Sequence, residues 1–247
     1  ASQTTQRANT VGTATKASSY LDSLGASGRS LDYGAGKGLN AEANAIDDTF
    51  EPFPNNDFNP TFMSPSEVPK NAYGKVISTN VINVLPPNLR QEAVFNIGNA
   101  LEVGGKALIQ TWDTNMAKKG MKSPKATAVK DEPLAYTTST GSYQKGFTQA
   151  ELKDYVGDVL GDSFEVLSVP SKQGISGVAV VVNRISPEAP KGIKAFHGSP
   201  HSFDRFSTES IGTGEGAQAY GRGLYFAESE KVANEYRDQL TPRDLDY

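Results

Sequence analysis

The chain of 247 residues has no cysteine and only two histidines, and these shortages exclude several kinds of site. Without cysteine it forms no disulfide, binds no zinc through thiolates and has no cysteine nucleophile. A metal site built on histidine would depend on His197 and His201, which lie in one short segment. We therefore expect no metal site.

Long apolar runs are also missing. No stretch approaches the roughly 20 apolar residues that cross a bilayer, and the N-terminus lacks the basic-then-apolar pattern of a signal peptide. We therefore expect no membrane partner. Because the formal net charge is −4, any contact with nucleic acid requires a local concentration of positive charge.

Breaks in the pattern divide the chain into four parts. We expect a polar lead over residues 1–14, one large α/β domain over 15–185, a proline-containing linker over 186–192 and a second segment over 193–247. With 24 glycines and 14 prolines, the connections should be long.

The large domain is predicted to alternate strands with helices and to end in two neighbouring strands. This order indicates the α/β class, with a mostly parallel sheet and an antiparallel strand at its C-terminal end. Gly104-Gly105 is predicted to end a helix, and residues 113–146 are predicted to form a loop. Strands are predicted at 30–33, 49–53, 74–79, 106–112, 164–169 and 178–184, and helices at 15–24, 39–46, 89–101 and 149–160.

The clearest motif is a glycine-rich turn after the first strand, Asp32-Tyr33-Gly34-Ala35-Gly36-Lys37-Gly38. Glycine lets the backbone turn sharply and approach a ligand closely. A Walker A loop would need Ser or Thr after Lys37, and a dinucleotide loop has the wider Gly-x-Gly-x-x-Gly spacing, so both are disfavoured. A tight turn without a ligand is the other interpretation of the motif.

This turn resembles motif I of the class I, Rossmann-like S-adenosylmethionine methyltransferases, and the resemblance covers residues 31–184. It implies that Asp32, Gly34, Gly36 and Gly38 hold S-adenosylmethionine. It also implies that Glu51, at the end of the second strand, binds the ribose hydroxyls, since a carboxylate can accept from both hydroxyls of a diol.

The segment from Asn80 to Pro86 resembles putative methyltransferases associated with phages and DNA modification. It lacks the Asp/Asn-Pro-Pro-aromatic motif of amino-methyltransferases that act on bases. Asn80 and Asn83 are candidates for contacting the methyl acceptor, with a capping or turn role as the alternative. Methyl transfer and a non-catalytic binding module therefore both stand as hypotheses.

A lysine-rich segment over residues 118–130 is the local positive charge that DNA binding would need. A solvated loop is the alternative interpretation of these lysines. The aromatic residues near the segment either stack on bases or pack in the core. The lysines are Lys118, Lys119, Lys122, Lys125 and Lys130, and the aromatic residues are Trp112, Tyr136, Tyr143 and Phe147.

The motifs Phe196-His197-Gly198-Ser199 and Gly221-Arg222-Gly223-Leu224-Tyr225 resemble ADP-ribosyltransferase domains of the His-Tyr-Glu type found in phage polyvalent proteins. The resemblance implies that His197 holds the nicotinamide-side ribose of NAD and that Tyr225 is the motif tyrosine. It also implies that Tyr236 stacks on nicotinamide. No residue matches the third element of this type, a glutamate. We therefore expect a partial α+β segment that would bind NAD only as part of a complete domain. We also expect the chain to be a fragment.

Together the two resemblances imply a methyltransferase-like domain of a phage or prophage polyvalent protein that acts on DNA or counters host defence. Such a protein would work in the cytoplasm of the host cell or be packaged in the virion. The alternative hypothesis is a module with the same fold that binds S-adenosylmethionine, or is carried in the virion, without transferring a methyl group.

Overall fold

The structure, a computed structural model, describes residues 8–55 and 57–191 together with the single residue Asn234. The chain divides into two compact units, Ala1–Gly192 and Ile193–Tyr247. The helices and strands described below all belong to the first unit.

The described part of the first unit contains five α-helices and nine strands, numbered in chain order. The helices are α1 (Ala8–Ser23), α2 (Leu39–Asn44), α3 (Pro87–Ala100), α4 (Thr114–Met121) and α5 (Gln149–Leu160). The strands are β1 (Ser30–Tyr33), β2 (Asp48–Phe50), β3 (Tyr73–Thr79), β4 (Leu101–Thr111), β5 (Thr127–Ala128), β6 (Ala135–Thr137), β7 (Tyr143–Lys145), β8 (Phe164–Ser168) and β9 (Val178–Arg184). Of the helices described, none is long and apolar enough to cross a membrane.

Six strands form the central sheet in the order β2-β1-β3-β4-β9-β8. Strands β1 to β4 pair in parallel, with Leu31 of β1 opposite both Asp48 of β2 and Val76 of β3. Strand β9 is antiparallel to both of its neighbours, β4 and β8. The predicted α/β class, with a mostly parallel sheet and an antiparallel strand near its C-terminal end, is confirmed.

Successive strand residues point to opposite faces of the sheet. Both faces are buried, because helices cover each of them. Helix α1 covers one face, and α3 and α5 cover the other, so all seven residues of β3 are buried. Strands that are buried on both faces are rich in apolar residues, as Val76-Ile77 in β3 and Val180-Val181-Val182 in β9 show, and such runs made these strands predictable. One face packs Ala14, Ala17 and Leu21 on Ile77, Leu108 and Val181, and the other packs Val94, Ile97 and Val156 on Val76, Ile109 and Val180.

The N-terminal helix begins earlier than predicted. Residues 1–14 were expected to form a polar lead, but α1 begins at Ala8, and the side chain of Ala14 is completely buried. Gly12 lies inside the helix, where its low helix propensity argues against a helix. Packing of small side chains such as Ala14 and Ala17 on the sheet outweighs that propensity.

The prediction that Gly104-Gly105 ends a helix is wrong. Strand β4 begins at Leu101, directly after α3, and the glycines lie in an irregular part of the β3–β4 pairing. Gly104 has a φ of +86°, and a Cβ on Gly105 would lie 2.6 Å from the carbonyl oxygen of Tyr73. A glycine pair fits a bulge as well as a helix end, so the sequence did not distinguish them.

The predicted loop over residues 113–146 is also wrong, because this segment is folded. It contains α4, which Asp113 caps by accepting a hydrogen bond from the Met116 amide at 2.8 Å, and the three-stranded antiparallel sheet β5–β6–β7. We call residues 113–147 the insertion. The backbone amide of Phe147 donates to the carbonyl of Trp112 at 2.9 Å and so joins the two ends of the insertion.

One buried arginine attaches the insertion to α3. The Arg90 side chain is 3% exposed and forms an ion pair of 2.7 Å with Glu132 of the insertion. It also donates to the Tyr143 hydroxyl at 3.0 Å and to the carbonyl oxygens of Leu85 and Ile82 at 3.0 and 3.1 Å. Each of the three guanidinium nitrogens therefore donates to at least one acceptor, as a buried charge requires.

The residues predicted as a linker, 186–192, are bonded to the first unit as far as Lys191. The Arg184 guanidinium donates to the carbonyl oxygens of Ser186 and Pro187 at 3.1 and 2.8 Å. The Lys191 amide donates to the carbonyl of Leu160, at the end of α5, at 3.1 Å.

Replacement of Arg90 by Met is expected to lower the free energy of unfolding by about 3 to 5 kcal/mol, because it leaves the Glu132 carboxylate without its buried partner. Urea unfolding measures this loss, with the exposed Lys153→Met as a control that should change stability little. Adding Glu132→Gln to Arg90→Met should recover part of the loss. A loss below about 1 kcal/mol for Arg90→Met would show that the ion pair contributes no more than a surface pair.

Candidate functional site

The predicted site residues of the large domain meet at one edge of the central sheet, where the carboxyl ends of the parallel strands lie. The glycine turn of residues 34–38 follows β1, Glu51 follows β2 and Asn80 follows β3. Strand β1 lies between β2 and β3. The chain passes from β1 to β2 on one side and then crosses back to β3 on the other side, so the strand order reverses at β1. Ligands of open α/β sheets bind at such a switch point.

The glycine turn needs glycine at three positions. Gly34, Gly36 and Gly38 have φ angles of +87°, +62° and +78°, a region that other residues rarely adopt. A Cβ on Gly34 would lie 2.3 Å from the Val81 side chain, and one on Gly38 would lie 2.3 Å from the Phe58 ring. The turn is therefore closely packed between the segment after β3 and the connection that follows β2.

Three consecutive amides of the turn donate to the end of β2. The amides of Gly34 and Ala35 both donate to the carbonyl of Phe50, at 2.8 and 2.9 Å. The Gly36 amide donates to the Glu51 carboxylate at 2.9 Å. Phosphate-binding turns keep such amides free for the anion, so in this conformation the turn is not a phosphate cradle.

Glu51 binds the turn and still has capacity for a ligand. One carboxylate oxygen accepts from the Gly36 amide and the other from the Phe53 amide at 3.0 Å. Partial burial raises the pKa of Glu51, and these two amides oppose the increase. A carboxylate has about four lone-pair positions, so two remain for the hydroxyls of a diol.

Asp32 lies beneath the turn and is completely buried. Among the described residues, no group forms a hydrogen bond with either of its carboxylate oxygens. Burial raises the pKa of Asp32 from 3.8 to about 7; the nearby Asn40 amide opposes this increase and the charge of Glu51 adds to it. Because Asp32 is not exposed, its carboxylate is not accessible to a ligand in this conformation.

The two predicted acceptor-side asparagines have different environments. Asn80 is partly exposed and has a φ of +58°. Its backbone amide donates to the carbonyl oxygen and to the side-chain oxygen of Gln110, at 3.0 and 3.2 Å. Asn83 is 1% exposed, and its side chain donates to Gln144 of the insertion at 3.4 Å. The structure therefore places Asn80 at the edge with the turn, and it buries Asn83 against the insertion.

Gln110 is a residue of this edge that the sequence analysis missed. Its side chain is buried, accepts from the Asn80 amide and donates to the carbonyl of Ser176 at 2.7 Å, in the loop between β8 and β9. It therefore connects the end of β3 to that loop. The signal was available, since Gln110 is a polar residue at the end of an apolar run and a buried amide needs partners.

Other predicted site elements lie away from the turn or outside the described residues. Tyr136, Tyr143 and Phe147 are buried, which decides for core packing over base stacking at these three positions, whereas Trp112 is partly exposed. Within residues 8–55 and 57–191, no group of acidic or histidine side chains could hold a metal ion. The predicted NAD-site residues, His197, Tyr225 and Tyr236, lie outside the described residues.

Replacement of Asp32 by Asn is expected to change how stability depends on pH. Because the folded state raises the pKa of Asp32 from 3.8 to about 7, the folded protein binds the proton more tightly, and this contribution to stability is lost as the pH rises between those values. Urea unfolding should show the wild type losing up to about 4 kcal/mol relative to Asp32→Asn between pH 4 and pH 8. Parallel curves for the two proteins would contradict the raised pKa.

The comparisons with known proteins identify the fold. No protein-family model matches the chain, and no curated protein matches it by sequence. The PH0226 protein from Pyrococcus horikoshii OT3 is similar in structure, with a TM-score of 0.52 and 11% identity over 74% of this chain and 94% of that protein. The CcbJ methyltransferase from Streptomyces caelestis has a TM-score of 0.50 and 12% identity over 73% of this chain and 98% of that one. The first unit therefore has a Rossmann-like α/β methyltransferase fold.

Proposed function

We propose that the first unit binds S-adenosylmethionine at the glycine turn and transfers its methyl group to an acceptor at the same edge of the sheet. The observation that carries this proposal is the position of Glu51, which holds the turn through the Gly36 amide and keeps lone pairs for a diol. The similarity in fold to the CcbJ methyltransferase and the resemblance to motif I support the proposal.

The residues at the edge fit this cofactor. S-adenosylmethionine has a ribose diol and no phosphate, which suits a turn whose amides are bonded to Phe50 and Glu51. When bound, it supplies a methyl group on a positively charged sulfonium, which becomes a neutral thioether after transfer. Glu51 would hold the ribose, and the close contact of the turn with Val81 fixes the turn beside the end of β3.

On the acceptor side, Asn80 is the residue that the geometry favours. Its side chain lies at the same edge as the turn and is partly exposed, so its carboxamide can bond to the donor or acceptor atoms of a substrate. Asn83 has a packing role in this proposal, because its amide is directed to Gln144. The acceptor class that we propose is nucleic acid.

A non-catalytic binding module is the second candidate function. The observation that favours it is the burial of Asn83, which leaves Asn80 alone where base-modifying methyltransferases have a longer acceptor motif. In this alternative the turn and Glu51 bind the cofactor, and no methyl group is transferred.

The wider context of the chain remains a proposal supported by motifs in residues 193–247. On that resemblance the protein comes from a phage or prophage, modifies DNA or counters host defence in the host cytoplasm or from the virion, and carries an ADP-ribosyltransferase-like segment after residue 192. NAD would be a cofactor only of a complete second domain.

Gly36→Ala is expected to weaken S-adenosylmethionine binding at least about tenfold, because alanine disfavours the positive φ that directs the Gly36 amide to Glu51. Isothermal titration calorimetry measures this change. Gly141→Ala is a matched control: Gly141 also has a positive φ of +78°, but it lies on an exposed turn with open space around it. No binding to the wild type, or equal losses in both variants, would rule out the proposed site.

Asn80→Gly is expected to reduce methyl transfer to mixed-sequence DNA about a hundredfold, with unchanged affinity for S-adenosylmethionine. Glycine keeps the backbone conformation of Asn80 and removes only its carboxamide. Transfer of a radiolabelled methyl group measures the rate, and Ala45→Gly, at another position with positive φ, is the control. Cofactor binding without any methyl transfer by the wild type would instead favour the non-catalytic module.

A further inference from the structure

The lysine-rich segment is part of a folded platform. Helix α4 packs one side inwards, because Ala117 is fully buried and Gly120 lies against the Tyr136 hydroxyl so closely that a Cβ there would overlap it. Arg90 attaches the insertion to α3 through Glu132 and Tyr143. The lysines are therefore held on a surface of defined shape instead of a free loop.

All five lysines of residues 118–130 are exposed, and none of their ammonium groups forms an ion pair or hydrogen bond with another described residue. Some lysines elsewhere in the unit have acidic partners, since Lys75 is paired with Asp22 at 2.5 Å and Lys145 with Glu151 at 2.8 Å; other exposed lysines, such as Lys70 and Lys153, are scattered singly over the described surface. The lysine surface, as we call it, consists of Lys118, Lys119, Lys122, Lys125 and Lys130.

The charge of this surface is concentrated. Residues 118–130 contain five of the 24 lysine and arginine residues of the chain and no aspartate or glutamate, although the formal net charge of the whole chain is −4. Of the two acidic residues that follow, Glu132 is paired with Arg90, and Asp131 is exposed. An unpaired positive surface on an acidic protein indicates a polyanionic partner.

The insertion lies at the carboxyl edge of the sheet. It begins two residues after the end of β4, and its Gln144 side chain accepts from Asn83, in the segment that follows β3. Asn80 and the glycine turn belong to this same edge. A polymer bound to the insertion is therefore directed towards the side of the sheet where the proposed methyl acceptor is placed.

We propose that the lysine surface binds the phosphate backbone of nucleic acid and so delivers the acceptor to the edge that carries Asn80. The claim that the bound nucleic acid is the methyl acceptor rests on the proposed function, whereas its binding to the lysine surface does not. Because Tyr136, Tyr143 and Phe147 are buried, the surface offers no stacking by these rings. Its contacts are with phosphates, and binding is independent of base sequence and strongly dependent on salt.

The test is fluorescence anisotropy of the full chain with labelled, mixed-sequence DNA, single-stranded and duplex, over a range of salt concentrations. The variant replaces Lys122, Lys125 and Lys130 by Gln, all outside α4. We expect its affinity at low salt to fall at least about tenfold, and the slope of log K against log salt to decrease by about 2 to 3, since each phosphate contact contributes about 0.9.

The matched control replaces three exposed lysines elsewhere, Lys70, Lys153 and Lys172, by Gln, and so changes the net charge equally. It should keep nearly all of the wild-type affinity and slope. Equal losses in the two variants would overturn the proposal in favour of general attraction. Thermal unfolding of both variants checks that the fold is retained.

Two further probes distinguish nucleic acid from other polyanions. Phosphatidylserine vesicles test a membrane surface, and polyglutamate tests an acidic protein; lysine-dependent binding to either of these without binding to DNA would overturn the proposal. Calorimetry with S-adenosylmethionine on the same variants is independent of this result. Absence of cofactor binding to the wild type would contradict the proposed function and leave the DNA measurement valid.

Discussion

The hydrogen bonds from the glycine turn to the end of β2 determine what the carboxyl edge of this sheet can bind. Because the amides of Gly34 and Ala35 donate to Phe50 and that of Gly36 donates to Glu51, the turn closes onto the neighbouring strand. A turn held in this way offers few backbone donors to an anion. Polar contacts with a ligand must therefore come from side chains, which suits a ligand with hydroxyl groups and a positive charge.

The insertion depends on a second constraint, the burial of Arg90. Its guanidinium lies 5.3 Å from the centre of the Phe147 ring and 5.6 Å from that of Tyr143, and Glu132 neutralises its charge. Cation–π contacts of this kind gain strength when water is excluded. The same group thus joins the hydrophobic core under α3 to the base of the insertion, which explains how short strands of two or three residues remain folded.

The parts of the fold that were predictable from sequence are those with long or unusual patterns. The central strands contain short apolar runs, such as Ala107-Leu108-Ile109 in β4 and residues 178–182 in β9, and the alternating glycines after Asp32 together with Glu51 indicated one site. Strands β5 to β7 are too short to show a period of two, so the sequence predicts a loop over residues 113–146. Gly104-Gly105 fits both a helix end and a bulge, and only the pairing with β3 decides between them.

Burial of individual polar groups was not predictable, because it depends on contacts between distant segments. Asn80 and Asn83 have the same side chain three residues apart, yet one is partly exposed and the other lies against Gln144. Likewise, the role of Gln110 depends on Ser176, which is 66 residues away in the chain.

Arg184 determines where the first unit ends as an independent piece of protein. The composition suggests a boundary near residue 185, but three of the backbone carbonyls that accept from this buried guanidinium belong to the residues that follow, and Pro190 packs against Gly98. A chain shortened to residue 185 would keep the bonds of Arg184 to Asn71 and to the Leu101 carbonyl, but it would lose three further carbonyl acceptors and the contact of Pro190 with Gly98 of α3. Proteolytic trimming that preserves the unit should therefore stop after Lys191.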